Sequence, residues 1–416
     1  MASRDGPGKT HVVLIDRTDG SAWTTGSGGH LLSPERYRVS VLSGYPGKGP
    51  LAAASVPLLQ RLDLGDHDAL SHTIETLHAI CPVDRIACTS ERQLELAAKL
   101  RERFGIPGDD LEFTLAFRDK AEMKRIASAA GIPHADGLVL REPTDALRLL
   151  DRHGGIVIKP RDLSGSQGVT ICRERSALTA WLRTRFVPGY YLAEEYLTGQ
   201  LYYIDAVVHR GIVAWNVSVY LRDTLAYARG LPLSAQTCDS PRLITAAGDL
   251  LDQVIDAWRI RAAVLHVEAF DEGCQLVLCE VAGRPGGAGV PQSFAATRGI
   301  NLHHAKVLID AGEDPRRMMT EPTAAHAGWT VHYSPGGWLV GYDDSAIASQ
   351  AVYRAVTARI GDHTEPSRFS GTGLSTHVFA ADTAAAVTRL LARAELEVQI
   401  RVTPFPASHD DEKDDR

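Results

Sequence analysis

Two glutamates and an arginine fall on one predicted hairpin between Ala263 and Gly287. In Val264-Leu265-His266-Val267-Glu268-Ala269-Phe270 the alternation puts His266 and Glu268 on the same side. Asp271-Glu272-Gly273 supplies turn chemistry. Leu276 to Val281 then returns with Glu280, and Arg284-Pro285-Gly286-Gly287 follows. A carboxylate on each of two apolar strands is costly unless something positive binds there. Two carboxylates completed by water and phosphate oxygens form a set that Mg²⁺ accepts. Structural salt bridges to Arg284 would satisfy the same pattern, so the meaning of the hairpin depends on what else converges on it.

Three upstream features offer anion-binding chemistry. Asp119 opens a helix with Glu122 at the capping-box position, which makes Lys120 its first residue, an ammonium beside a helix start. Surface lysines also occupy such positions. Gly155 to Pro160 reads as a strand with Lys159 at its exit. The loop Ser164-Gly165-Ser166-Gln167-Gly168 follows before Val169-Thr170-Ile171 resumes the strand. Small residues there let backbone amides approach phosphate oxygens, although an ordinary hairpin turn has the same composition. The Lys-Ser/Thr ending and following helix of a P-loop are missing, which excludes that motif. Tyr191 to Leu197 reads as a further strand carrying adjacent acids, Glu194 and Glu195, ahead of Tyr196 and Leu197.

These groups need a scaffold. His11 to Ile15, Tyr37 to Leu42 and Asp84 to Cys88 read as strands, with helices from Asp66 to Ile80 and after a capping-box start at Ser90 and Gln93. The second helix buries Leu94, Ala97, Leu100 and Phe104 and stops at Gly105 and Pro107. Strand–helix alternation of this kind implies a parallel sheet with helices on both faces, ending near Leu111. Leu250, Leu251, Val254, Ile255 and Trp258 repeat at helical spacing. Leu221 to Pro241 reads as a long irregular loop of the sort that forms lids or substrate-binding loops, where Arg222 and Arg229 are candidate substrate contacts. From about Gly328 to Thr403 further strands surround Gly336-Gly337 and Gly371-Thr372-Gly373, with a helix near Thr383 to Ala394.

With 416 residues the chain has room for two to four domains. A net charge of −7 argues against a nucleic-acid or anionic-membrane surface as main partner. No apolar run approaches the ~20 residues that span a bilayer, and the polar start has no secretory core. Six cysteines without a Cys-x-x-Cys pair read as reduced residues of a cytoplasmic protein. His303-His304 reads as a helix-surface pair. Residues 1–9 and the Asp/Glu/Lys-rich 406–416 are expected to be disordered.

In order, spacing and setting, the set resembles the ATP-grasp superfamily, in particular its amide-forming, L-amino acid ligase type, over most of the chain. The resemblance implies an α/β protein, α+β in its ATP-binding part. Its parts would be an N-terminal α/β domain (10–111), an ATP-grasp domain (112–325, with a small antiparallel lid at about 135–195), and a C-terminal α/β part (326–405) completing the central domain. It implies ATP and Mg²⁺ as cofactors. Lys120 and Lys159 match the phosphate-contacting lysines, Ser164 to Gly168 the flexible phosphate loop, and Glu194 to Leu197 the hinge strand that hydrogen-bonds adenine. Glu268 and Glu280 match the magnesium ligands, and Arg284 the arginine beside the transferred phosphate. Two departures stand out. Ala282 replaces the asparagine of the usual Glu-x-Asn-x-Arg, removing one oxygen ligand, and Leu201 stands where many relatives carry glutamate, whereas Asp205 is retained.

The implied activity is a carboxylate–amine ligase acting through an acylphosphate, with small-molecule carboxylate and amine substrates of amino-acid type in specialised biosynthesis. Arg284, Gly286 and Gly287 are candidates to hold the substrate carboxylate, and His266 to orient Glu268 or to be a satisfied structural histidine. A small-molecule kinase, a carboxylase, or a catalytically weakened nucleotide-binding protein would share the same nucleotide site. Dimerisation is common in such enzymes, so a homodimer is compatible with the resemblance.

Overall fold

The computed structural model describes residues 8–25, 28–44, 58–367, 370 and 373–404. The tail at 406–416, Gly371-Thr372 and all but Gly8 and Lys9 of the N-terminal stretch lie outside them. Short apolar runs near the N-terminus form a four-stranded parallel sheet in the order Leu58–Arg61, Tyr37–Ser43, Thr10–Asp16, Arg85–Cys88. A parallel sheet must be covered on both faces. Helices His67–Ile80 and Leu94–Phe104 cover one face through Leu70, Ile74, Ala97 and Leu100. The other is covered by Val307, Leu308 and Ala311, at the end of Leu302–Asp310, a helix some two hundred residues downstream.

Asp66 caps His67–Ile80 by accepting from the Ala69 amide at 2.9 Å, and Gly105 closes Leu94–Phe104 in the left-handed conformation. The expected capping box at Ser90 does not form. A 3₁₀ turn, Glu91–Gln93, intervenes, the Ser90 hydroxyl contacts the Gln93 side chain, and Gln93 donates to the Leu64 carbonyl at 2.8 Å. Nor does Glu122 complete a box: Asp119 caps Lys120–Ala129 at the Ala121 amide, and Glu122 holds Arg125 instead.

A second sheet is four-stranded and antiparallel, in the order Gly137–Val139, Tyr191–Glu195, Ile156–Pro160, Thr170–Cys172. Helices Pro143–His153 and Arg175–Arg185 seal one face of it through Leu149, Leu150, Leu178 and Trp181. The largest sheet has eight antiparallel strands: Leu276–Ala282, Ala262–Asp271, Gln200–His209, Ile212–Tyr220, Leu233–Thr237, His326–His332, Ser375–Ala381, Tyr353–Val356. Pro241–Ala257 packs on one face with Met123 and Ala127 of Lys120–Ala129, and Val290–Arg298 on the other. Gly337–Asp343 pairs with His363–Thr364 and Gln399–Thr403 in a three-stranded sheet, while Ala384–Glu397 packs on the large sheet, with Val387 and Leu391 against Phe379.

The segment 221–241 is less irregular than its composition predicts. Ala226–Arg229 is a 3₁₀ turn, and Leu233–Thr237 is a buried strand of the large sheet. The apolar count of Leu-Ser-Ala-Gln-Thr is too low to announce a strand. Its place is set by pairing with Ile212–Tyr220 and His326–His332, which are distant in sequence. Among the described residues no helix is long and apolar enough to cross a membrane.

Candidate active site

A cavity of about 750 Å³ opens where the parallel sheet, the four-stranded sheet and the large sheet meet, a size suited to a small-molecule ligand. Its floor is the predicted hairpin. Glu268 pairs directly with Glu280 across Ala262–Asp271 and Leu276–Ala282, and the register then slips so that Cys279 is an extra residue. A bulge re-aims its neighbours, and strict alternation of the second strand would not have placed both carboxylates on the cavity. Opposed like charges on adjacent strands repel. Tyr220 donates to Glu268 at 2.9 Å, and Lys120 stands 3.3 Å from Glu280. Among the described residues no group of three or more His, Cys, Asp or Glu side chains forms a metal set. Two facing carboxylates are a donor set that fits a divalent ion whose shell is finished by ligand oxygens and water, as Mg²⁺ accepts. Ala282, where the resemblance expects a third oxygen, lies directly opposite His266.

His266 Nδ1 lies 2.8 Å from Asp205, and its Nε2 lies 3.6 Å from Glu268. Burial pushes the imidazole down, but the carboxylates of Asp205 and then Glu268 outweigh it and raise the pKa to about 9. The two carboxylates thus favour the imidazolium form of the ring. Although burial opposes it, His266 and Tyr220 hold Glu268 below the usual carboxylate range. A side chain at Gly286 would meet His266 Nδ1 at 2.8 Å, so only glycine lets the strand exit pass the ring.

Arg284 points to the N-terminal wall. Its Nε donates to Glu91 at 2.6 Å and a second guanidinium nitrogen also contacts that carboxylate, while Arg118 holds the other oxygen at 2.5 Å. Burial would raise Glu91, yet Arg284 and Arg118 pull it down to about 2. Arg284 therefore does not form the salt bridges with Glu268 or Glu280 that a purely structural hairpin would use.

Lys120 is the first residue of its helix and is buried, donating to the Leu163 carbonyl at 2.6 Å. Its amide is taken by the Arg161 carbonyl at 3.0 Å. Asp119 is held by Arg161, so of the expected helix-start anion site only the ammonium faces the cavity. Lys159 is buried at the exit of Ile156–Pro160 and pairs with Glu194, which also takes Lys124 at 2.6 Å. Burial lowers Lys159, but Glu194 outweighs it and holds the ammonium above its ordinary value. Lys124 and Lys159 hold Glu194 at about 2.

The Glu194 carboxylate is committed to those lysines, which leaves the backbone of Glu195, Tyr196 and Leu197 as the hinge-like edge of the cavity. Glu195 instead accepts from the Asp136 amide at 3.0 Å. Ser164 to Gly168 closes the roof with Gly165, Ser166 and Gly168 at positive φ. The Gly165 and Ser166 carbonyls accept from the Ser370 amide at 3.1 Å and the Tyr227 hydroxyl at 3.3 Å.

Gly287 lines the cavity with open space around it. Arg222 lines it too, but its guanidinium pairs with Glu395. Arg229 is not brought there: it is exposed, 3.9 Å from Asp223, on the 3₁₀ turn outside the cavity wall. His303 and His304 are not a surface pair. His304 contacts the Ser21 and Thr24 carbonyls at 3.0 and 3.1 Å, and His303 lines the cavity, its pKa pushed down to about 4 by burial. Glu91, Arg118, Lys124 and Tyr220 escaped the sequence reading. Lys124 alone had a usable signal, one helical turn after Lys120.

The chain has the ATP-grasp fold, shared with solved ligases. L-amino acid ligase from Bacillus licheniformis superposes with a TM-score of 0.74 at 16% identity over 95% of this chain and 99% of that one. N5-carboxyaminoimidazole ribonucleotide synthetase from Thermotoga maritima superposes with a TM-score of 0.69 at 14% identity over 95% and 100%. In sequence, the chain is 23% identical over 263 residues to the L-arginine-specific L-amino acid ligase of Bacillus subtilis. That match spans 61% of this chain and 64% of the relative, less than two thirds of its length. No family model matches the chain.

Proposed function

We propose that the protein is an ATP-dependent, ADP-forming carboxylate–amine ligase that makes an amide or peptide bond between amino-acid-like substrates. The observation that carries this reading is the register of Glu268 against Glu280 on the floor of a cavity ringed by Lys120, Lys159 and Arg284. In this reading residues 10–111 are the N-terminal domain, 112–325 the ATP-grasp domain with its lid at about 135–195, and 326–405 complete the central domain.

Glu268 and Glu280 would hold Mg²⁺, which when bound supplies positive charge to the β- and γ-phosphates. Lys120 and Lys159 neutralise phosphate oxygens, while the amides of Ser164 to Gly168 cover them. Adenine lies along the backbone of Glu195 to Leu197. Arg284, aimed by Glu91, carries positive charge at the phosphoryl group in flight, where charge stabilisation matters most. A substrate carboxylate oxygen attacks the γ-phosphorus as the bond to ADP breaks, giving an acylphosphate. The amine nitrogen then attacks the acyl carbon, phosphate leaves with the C–O electron pair, and the amine gives up a proton. Latching of the phosphate loop by Ser370 and Tyr227 keeps water from the acylphosphate. Arg284, Gly286 and Gly287 border the place for the acid.

Similarity to a carboxyaminoimidazole synthetase of the same fold supports a second reading, carboxylation, with the same nucleotide site. A panel of amino acids and amines, assayed for ADP, phosphate and amide, decides between them. Acceptor-dependent ADP with an amide product upholds the ligase. ADP that depends on bicarbonate, or a phosphorylated product, overturns it, and nucleotide binding without turnover leaves only a nucleotide-binding protein.

A further inference from the structure

Among the described residues, charge pairing around the cavity leaves one cation over. Lys120 faces Glu280, Lys124 and Lys159 share Glu194, Glu91 holds Arg284, and Glu395 holds Arg222. Arg17 lines the same cavity from the C-terminal end of the strand Thr10–Asp16. It makes no ion pair or hydrogen bond with another described residue.

The nearest anions are already engaged. Glu91 is held by Arg284 and Arg118, and Asp16 accepts from Thr18 at 2.9 Å and from Thr89 at 3.3 Å. Burial, then the charges of Arg284 and Arg92, pull the Arg17 pKa down. Arg17 is itself exposed, its free surface lining the open cavity beside a second guanidinium, and an anion that enters the cavity supplies the partner it lacks.

We propose that Arg17 determines acceptor specificity by binding a carboxylate that the amine substrate carries and does not consume. The acceptor is then an amino acid or peptide with a free carboxylate. This inference rests on the ligase reading, which gives Arg284, Gly286 and Gly287 to the acid that is activated. Arg284 is held by Glu91, so Arg17 next to it is the anion-accepting group left for the second substrate, whose amine must reach the same acyl carbon.

The test uses the full chain with Mg-ADP, titrated calorimetrically with each of the twenty common L-amino acids and with their C-terminal amides. At least one amino acid binds the wild type more tightly than its amide. In Arg17→Gln that amino acid weakens roughly 10- to 100-fold, the range for losing a charged hydrogen-bond partner. Its amide and Mg-ADP are unchanged, and Arg17→Lys recovers part of the loss. Unchanged Mg-ADP affinity reports an intact fold. Equal weakening of acid and amide, no weakening, or no amino acid bound by the wild type each overturns the proposal. Turnover judges the ligase reading separately. Amide synthesis indifferent to Arg17→Gln sinks the Arg17 assignment alone. Carboxylate-selective binding lost in Arg17→Gln, with no acceptor-dependent ADP from the wild type, keeps the anion site and sinks the ligase.

Discussion

Replacing Glu280 by glutamine probes the floor of the cavity without altering its shape. In the wild type two carboxylates face each other across adjacent strands, with side chains about 5 Å apart for such a pair. At an effective dielectric near 20, unit charges at that separation repel by about 3 kcal/mol. Lys120, 3.3 Å from Glu280, offsets part of this, and a divalent ion would reverse it. Glu280→Gln removes the repulsion together with the reason for an ion to bind.

Mg-ADP at 100 times its dissociation constant should stabilise the wild type by about 2.7 kcal/mol. With an unfolding entropy of about 2.1 cal/mol/K per residue, a 416-residue chain then melts about 3 °C higher, and more if one domain unfolds separately. Losing an outer partner of a metal ligand already costs 10- to 100-fold in affinity. A 100-fold loss in Glu280→Gln brings the same Mg-ADP concentration down to its dissociation constant, where stabilisation is about 0.4 kcal/mol, or about half a degree. Without Mg²⁺ the two proteins should bind ADP with similar affinity. Differential scanning calorimetry with Mg-ADP, ADP plus chelator, and no ligand measures these shifts, and ADP release measures turnover, which should be abolished in the variant. A full 3 °C response in Glu280→Gln with near-normal turnover would refute the assignment of the carboxylate pair.

Glu91 and Glu194 are each held at about 2, below the ordinary value of 4.5. Their stabilisation is complete above pH 4.5 and is lost as the pH falls toward 2, about 3 kcal/mol for each. Urea midpoints across pH 5 to 3 should therefore fall steeply, and less steeply in Glu194→Gln. That variant should itself be less stable at neutral pH by about 3–5 kcal/mol, because Lys124 and Lys159 keep buried charges without an anion. An unchanged acid limb would contradict the pairing. Gly286→Ala puts a methyl 2.8 Å from His266 Nδ1 and from Val290. The expected cost is about 1–3 kcal/mol with reduced turnover, read by denaturant titration and ADP release. Arg229→Ala should change stability by no more than about 0.5 kcal/mol and leave substrate KM as it is. A large KM rise would bring Arg229 back to the site.

What could be read in the chain was whatever local periodicity decides. The turn Asp271-Glu272-Gly273 and the apolar strands around it announce a hairpin, and a hairpin brings Glu268 near Glu280 without help from the rest of the fold. The extra residue at Cys279 has no such signature, because a bulge is settled by which faces the neighbouring strands must bury. Alternation places Glu194 and Glu195 on opposite faces of their strand but is silent on which face meets Lys124 and Lys159. That depends on the docking of Lys120–Ala129.

The longest gap concerns Arg284. Two acids twelve residues apart offer themselves as its partners, yet the guanidinium goes to Glu91, 193 residues away on another sheet's edge. A single chain shows nothing of that pairing, because a capping-box reading already accounts for the residues around Glu91. The consequence is chemical as well as topological. Bound to Glu268 or Glu280, Arg284 would neutralise the carboxylates that a metal ion needs. Held by Glu91, it leaves them charged and keeps its own charge at the cavity wall. The same displacement commits Glu91 to Arg284 and Arg118, so that among the described residues Arg17, beside it, pairs with no anion.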